Sequence, residues 1–127
     1  MSMSLGWILD MGAGPIYLQI GHNVRRFVAR GELAPGSRLP SARSLAETLE
    51  VNPNTVIHAY QDLERSGVIE TRRGRGTFVC AQAPVEEMKR QMVQQAASVF
   101  VREVRGLGVA RRESLRAVEE VWDAGGA

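Results

Sequence analysis

The first half of the chain carries apolar residues at the spacing of amphipathic helices. Apolar positions from Pro15 onward recur at helical intervals and predict a helix that ends near Gly31. Ser41 is a favourable N-cap for a second, short helix. In the stretch LEVNPNTVIHAY, Asn52 is a good N-cap and Pro53 suits the first helical position, where a missing N–H costs nothing. A third helix is therefore predicted to begin at Asn52.

The pattern after the third helix changes to short β-prone runs. Gly67 stands where a left-handed C-terminal cap would end that helix. The runs Val68–Thr71 and Thr77–Val79 are joined by RRGRG, whose glycines favour a hairpin. The order helix, helix, turn, helix, hairpin is that of a winged helix-turn-helix. The predicted fold class is therefore mainly α with a small β-hairpin.

Residues 81–127 carry a different pattern, a long helix with a broad apolar stripe followed by a second amphipathic helix. The long helix is predicted from Val85 to the glycine-rich turn at residues 106–108. Its stripe is too wide for the shorter helix to cover, so a second copy of the chain is expected to cover it. We therefore predict a winged helix-turn-helix over residues 1–80 and a helical dimerisation region over residues 81–127. The predicted dimer residues are Met88, Met92, Val99, Phe100, Leu115, Val118 and Trp122.

Composition narrows the range of functions. A length of 127 residues leaves room for one compact core plus an appendage, which disfavours a large enzyme fold. No segment approaches the roughly 20 consecutive apolar residues of a membrane span, and the N-terminus lacks the cationic segment of a secretory signal, so a cytoplasmic location is predicted. The single cysteine, Cys80, excludes an intramolecular disulfide and a cysteine-rich zinc site. No metal ion and no cofactor are expected.

The distribution of charge says more than its sum, a formal +2. Arg72, Arg73 and Arg75 lie close together, with no acidic residue between Thr71 and Val79. A local cationic cluster of this kind favours an anionic partner.

The third helix offers polar side chains to such a partner. Helical spacing gives it an apolar face that includes Val56 and Tyr60 and leaves Asn54, Thr55 and His58 on other sides. A helix of this kind fits the DNA major groove, where residues near its N-terminus meet base edges, while RRGRG can reach phosphates or the minor groove. The pattern predicts a protein that reads DNA and is not an enzyme. The predicted DNA-binding residues are Ser41, Arg43, Asn52, Asn54, Thr55, His58, Arg72, Arg73, Gly74, Arg75 and Gly76.

Each of these features also has a purely structural explanation. Asn52 could serve only as a cap, Arg43 only as a solvated surface charge, and RRGRG only as a cationic hairpin turn. A second function is also open, a winged-helix protein–protein adaptor without a specific DNA target that uses the hairpin to bind an acidic partner. Salt-sensitive binding to duplex DNA with a sequence preference would separate the two.

Five sequence motifs lie in the first part of the chain. They are PIYLQI (15–20), GELAPGSRLPSARSLA (31–46), VNPNTV (51–56), AYQDLE (59–64) and RRGRGTFV (72–79). Together these motifs resemble the GntR family of bacterial transcription regulators, and the resemblance extends over about residues 7–80. The short C-terminal part, with its Leu-Gly turn between two helices, resembles the YtrA subfamily.

The resemblance implies a homodimeric repressor that binds an inverted-repeat operator, often one that controls the regulator's own operon together with transport genes. It also implies a small helical dimerisation region in place of a large effector domain, and it names no effector. A branch of the family fused to an aminotransferase would need a longer chain with a Schiff-base lysine, whereas Lys89 is the only lysine here. His58 stands where related sequences often have Arg or Lys. The family's DNA-contacting positions fall at Arg43, Asn54, Thr55, Arg73, Gly74 and Arg75, with Ser41 and His58 nearby.

Overall fold

The structure, a computed structural model, describes residues 5–125. The chain forms two compact units, the first ending at Met88 and the second beginning at Lys89. The described residues form the helices α1 (Ile16–Ala29), α2 (Ala42–Leu49), α3 (Pro53–Arg65), α4 (Val85–Gly106) and α5 (Arg111–Gly125), and the strands β1 (Arg38–Leu39), β2 (Ile69–Arg72) and β3 (Gly76–Val79).

The predicted helix boundaries are confirmed by the contacts that form at them. The Ser41 side chain accepts a hydrogen bond from the Ser44 N–H at 3.1 Å, which caps α2. The Asn52 side chain accepts one from the Asn54 N–H at 2.8 Å and caps α3, whose first residue is a proline. Gly67 follows the end of α3 with φ = 78°, in the left-handed region. Side-chain N-caps such as those of Ser41 and Asn52 stabilise a helix by about 1 kcal/mol each.

The predicted hairpin is confirmed, and a third strand joins it. All pairs are antiparallel and β3 lies in the middle of the order β1-β3-β2. Arg38 of β1 pairs with Phe78, and Ile69 of β2 pairs with Val79. The short β1 was not predicted, because the sequence around it indicates only a turn and an extended segment.

The core of the first unit lies between α1, α2, α3 and the sheet. The Tyr60 hydroxyl, on the buried side of α3, donates a hydrogen bond to the Pro40 carbonyl at 2.8 Å and so ties α3 to the segment before α2. Burial raises the pKa of Tyr60, so the hydroxyl stays protonated and available as a donor. The largest fully buried side chains are Phe27, Ile20, Leu39, Leu45, Leu63 and Ile69.

An extended segment before α1 is held on that helix by two amide side chains. Asn23, only 2% exposed, accepts from the Ile8 N–H at 2.9 Å and donates to the Ile8 carbonyl at 2.8 Å. In the same way, the Gln19 side chain accepts from the Asp10 N–H at 2.7 Å and donates to the Asp10 carbonyl at 2.8 Å. Trp7 meets Phe27 edge to face, with ring centroids 4.9 Å apart. These amides pair with the backbone of a segment that lies outside the β1-β3-β2 sheet.

The second unit contains most of α4 and all of α5. The long helix ends at Gly106, as predicted, and Gly108 adopts φ = 73° in the turn that follows. The Ser114 hydroxyl donates to the Ala110 carbonyl at 3.0 Å in the first turn of α5. Within residues 5–125, no helix is long and apolar enough to span a membrane.

Candidate DNA-binding surface

The exposed face of α3 carries the side chains that were predicted to read bases. Asn54 and His58 are exposed, and Thr55 is half-buried at the flank of the helix. Gln61 extends this polar face, and Ile57 adds an apolar position to it that the sequence analysis did not include. The structure thus presents amide, imidazole and aliphatic groups side by side on one helix.

The capping residues have only part of their hydrogen-bonding capacity left for a ligand. The Asn52 side-chain oxygen is occupied by the Asn54 N–H, so its amide NH₂ group is what can face a phosphate. The Ser41 oxygen likewise accepts from Ser44, and its hydroxyl hydrogen can still be donated. Both residues stand at helix N-termini, where free N–H groups and the helix dipole attract anions. Exposed Arg43 lies in the first turn of α2.

His58 is held against α1 by an aromatic stack. Its imidazole lies 3.8 Å from the Tyr17 ring, centroid to centroid, with an interplanar angle of 9°. Tyr17 lies in the first turn of α1 and is half-buried. Because the stack uses the faces of the imidazole, its edge nitrogens can still form hydrogen bonds. The stack therefore limits which atoms of His58 can reach DNA.

We call the β2–β3 hairpin the wing. Its arginines fall into two groups. The Arg72 guanidinium lies 3.2 Å from a Glu70 carboxylate oxygen and 4.5 Å from the Phe78 ring centroid, so it braces the hairpin itself. Arg73 and Arg75 lie in the exposed turn and form no ion pair with any residue between 5 and 125. These two, rather than all three arginines, are the cations that the wing offers to a partner.

A groove of about 320 Å³ separates α3 from the wing. Ile57 and Gln61 of α3 line one side of it, and Gly76 and Thr77 line the other. Arg38 of β1 also lines the groove and was missed by the sequence analysis. The helical and hairpin patterns on which that analysis depends give no signal for a strand of two residues.

The remaining reactive groups, Cys80 and His22, are not among the residues that line this groove. Burial, aided by nearby carboxylates, raises the pKa of the Cys80 thiol, so the inert protonated form prevails at neutral pH. Burial and the charges of Arg26 and Arg25 lower the pKa of His22. The part of the chain that the structure describes contains no group of three or more His, Cys, Asp or Glu side chains placed to hold a metal ion.

Comparison with known proteins connects this surface to a family. The sequence model of a family described as bacterial regulatory proteins, gntR family, matches residues 16–79. The HTH-type transcriptional repressor YtrA of Bacillus subtilis (strain 168) is 37% identical over 109 residues, which cover 84% of each chain.

Solved structures agree with this match. A GntR family transcriptional regulator from Listeria monocytogenes superposes with a TM-score of 0.80 at 32% identity, over 89% of this chain and 99% of that one. The AraR DNA-binding domain, solved in complex with operator ORX1, superposes with a TM-score of 0.52 at 26% identity, over 57% of this chain and 87% of that one.

Proposed function

Because this chain belongs to the GntR family and is a DNA-binding transcriptional regulator, not an enzyme, we propose that it acts as a homodimeric repressor of an inverted-repeat operator. One observation carries the proposal: the exposed polar face of α3 lies beside a wing whose Arg73 and Arg75 have no ion-pair partner among residues 5–125. A polar helix beside free cations is the arrangement that reads bases and binds phosphates at the same time.

In the proposed complex α3 enters the major groove. Asn54 can form a bidentate pair with adenine, and Thr55 can reach a phosphate or a thymine methyl. Arg43 and the N-termini of α2 and α3 contact the backbone, while Arg73 and Arg75 reach the minor groove or its phosphates. The AraR DNA-binding domain, which has a similar fold and was solved in complex with operator ORX1, supports binding of an operator by this fold.

The proposed dimer forms through the second unit, which begins at Lys89, eight residues after the predicted start of the dimerisation region at residue 81. Trp122 is 80% exposed and Val121 is 72% exposed in the single chain, and Leu115 and Val118 of the same helix are exposed as well. A two-fold dimer would cover this surface and place two α3 helices on successive half-sites. Of the residues predicted for the dimer, Val99 is also exposed, and Met92 and Phe100 are half-buried.

Met88 is the most buried of the residues predicted for the dimer. It is only 5% exposed within the single chain, so it has little surface left to give to a second copy. The helical spacing placed it on the same stripe as Met92, but the stripe does not show where one compact unit ends and the next begins. The proposed interface therefore starts after Met88.

Repression is the mode of regulation we propose, supported by the relative YtrA, which is named a repressor. We further propose that the operator controls the regulator's own operon and that this operon also contains transport genes. We also propose that the protein acts in the cytoplasm. An effector ligand is not specified by any feature of the described residues.

Selection of bound duplexes from the parent genome, followed by affinity measurements on the selected operator, tests the proposal. Arg43→Ala and Arg75→Ala should each weaken binding by about 1–3 kcal/mol, with a shallower salt dependence where a phosphate contact is lost. Two correctly folded variants that hold the operator as tightly as the parent would refute the surface assignment. Equal binding to all duplexes would favour the adaptor function instead, and a monomer at micromolar concentration in sedimentation would refute the dimer.

A further inference from the structure

Arg38 has a defined position on β1, next to strand β3 of the wing. Its partner across the β1–β3 ladder is Phe78, and its guanidinium extends over the backbone of Gly76. A Cβ atom at Gly76 would lie 2.9 Å from the Arg38 Nε, a distance that real Cβ atoms essentially never show, and 3.1 Å from its Nη2, which is tighter than most real contacts. Gly76 also has φ = 120°, which disfavours any side chain. The glycine that was predicted as a DNA contact therefore makes room for an arginine.

The charge of Arg38 is available to a ligand. Arg38 is exposed and forms no ion pair with any residue between 5 and 125. Arg72 in the same sheet differs, because Glu70 and Phe78 engage its guanidinium. The one carboxylate that lines the groove beside Arg38 belongs to Glu64, and it accepts a hydrogen bond from the Thr71 N–H at 3.1 Å.

The position of the groove determines which part of DNA can meet Arg38. In a duplex, one sugar-phosphate strand separates each major groove from the neighbouring minor groove. If α3 lies in the major groove and the wing lies at the minor groove, that strand must pass between them. The space between them is the 320 Å³ groove that Arg38 lines together with Ile57 and Thr77. A side chain in this place faces phosphates and not base edges.

We propose that Arg38 binds a backbone phosphate of the operator strand that crosses the groove, an inference that rests on the proposed function. The planar guanidinium can donate two parallel hydrogen bonds to phosphate oxygens. Such a contact neutralises one phosphate and releases counterions, so it strengthens binding to every sequence alike. Arg38 is thus a positioning contact that fixes the register of α3 and does not select bases.

The test compares the selected operator with a shuffled duplex of the same length, by fluorescence anisotropy over a range of salt concentrations. Arg38→Ala should weaken binding to both duplexes on the order of tenfold at low salt. The slope of log affinity against log salt should become shallower by about 1. The ratio between the two duplexes should stay unchanged. Arg38→Gln, which keeps a shorter polar side chain without the charge, should give the same three results.

Arg30→Ala is the matched control, because Arg30 is also exposed but lies 3.8 Å from a Glu32 carboxylate at the end of α1. It should change neither the affinity nor the slope. If the parent prefers its operator and Arg38→Ala binds as tightly as the parent, the phosphate contact is refuted while the proposed function stands. A changed ratio with an unchanged slope would make Arg38 a base contact and also refute the inference. A parent without any sequence preference would refute the proposed function first.

Discussion

The two compact units differ in how much of their apolar surface the single chain covers. Phe27, Leu45 and Leu63 of the first unit are almost completely buried. In the second unit, Val121 and Trp122 leave most of their surface exposed, although helical spacing places them on an amphipathic helix in the same way. Amphipathic spacing alone thus predicts that a face will be covered, but not whether the same chain covers it. The first unit is self-sufficient in its core, and the second presents a surface that a second copy is proposed to cover.

The largest effect should come from removing a core ring of the first unit. Phe27→Ala deletes a side chain that packs against Trp7 and is 2% exposed, so the free energy of unfolding should fall by about 3–5 kcal/mol. Urea denaturation followed by circular dichroism measures this loss. A decrease below about 1 kcal/mol would show that the first unit does not depend on its own core in the way we describe.

Trp122→Ala should weaken the dimer instead of the fold, because the ring has little contact within its own chain. We expect folding to be nearly unchanged and dimer dissociation to become easier by about 2 kcal/mol or more, since buried tryptophans are common hot spots of interfaces. Sedimentation over a range of concentrations measures the change. Glu120→Ala on the same helix is the control and should leave the dimer intact. Equal dissociation constants for Trp122→Ala and the parent would remove Trp122 from the interface.

The elements that could be predicted from the sequence are those defined by neighbours along the chain. The start of α3 follows from Asn52 and Pro53 because a cap and a first-turn proline act over a few residues. The wing follows from β-prone runs joined by a glycine-containing turn, for the same reason. Local signals of this kind survive in a single sequence.

The elements that escaped prediction depend on partners far along the chain. Arg38 pairs with Phe78, and Ile8 bonds to Asn23, over separations that no local pattern encodes. Tyr17 and His58, which stack on each other, are also far apart in the sequence. The sequence therefore predicts His58 as a base contact but does not show that Tyr17 packs against it. The predicted dimer face has the same limitation, because the sequence shows an apolar stripe without its partner.

Asn23→Ala removes a polar contact within the first unit, which covers its own core. The buried amide forms three hydrogen bonds, two with the backbone of Ile8 and one with the Gln19 carbonyl, and its removal takes these partners from part-buried backbone groups. We expect a loss of about 1–3 kcal/mol in the free energy of unfolding. Hydrogen exchange should localise the effect to the Ile8 amide. His22→Ala, at an exposed position on the same helix, is the control, and an equal loss in both variants would contradict the role of Asn23.

His58→Arg tests whether the exposed face of the first unit reads bases. The substitution replaces a ring stacked on Tyr17 with a longer, permanently charged group. We expect the order of preference among operator variants to change, with shifts of about 1 kcal/mol between bases at one position. A randomised operator library gives the measurement. A uniform gain in affinity across the library would indicate a phosphate contact instead.

The smallest effect should come from Glu50, the one non-glycine residue with positive φ between residues 5 and 125. It ends α2 in the left-handed region, at φ = 57°, where a Cβ atom is strained. Glu50→Gly should relieve that strain but add freedom to the unfolded chain, for a net stabilisation of roughly 0.5 kcal/mol. Glu50→Ala removes the same charge and keeps the Cβ atom, so thermal unfolding of the two variants separates backbone strain from electrostatics. If alanine stabilises the first unit as much as glycine does, the gain comes from the lost carboxylate and not from the turn.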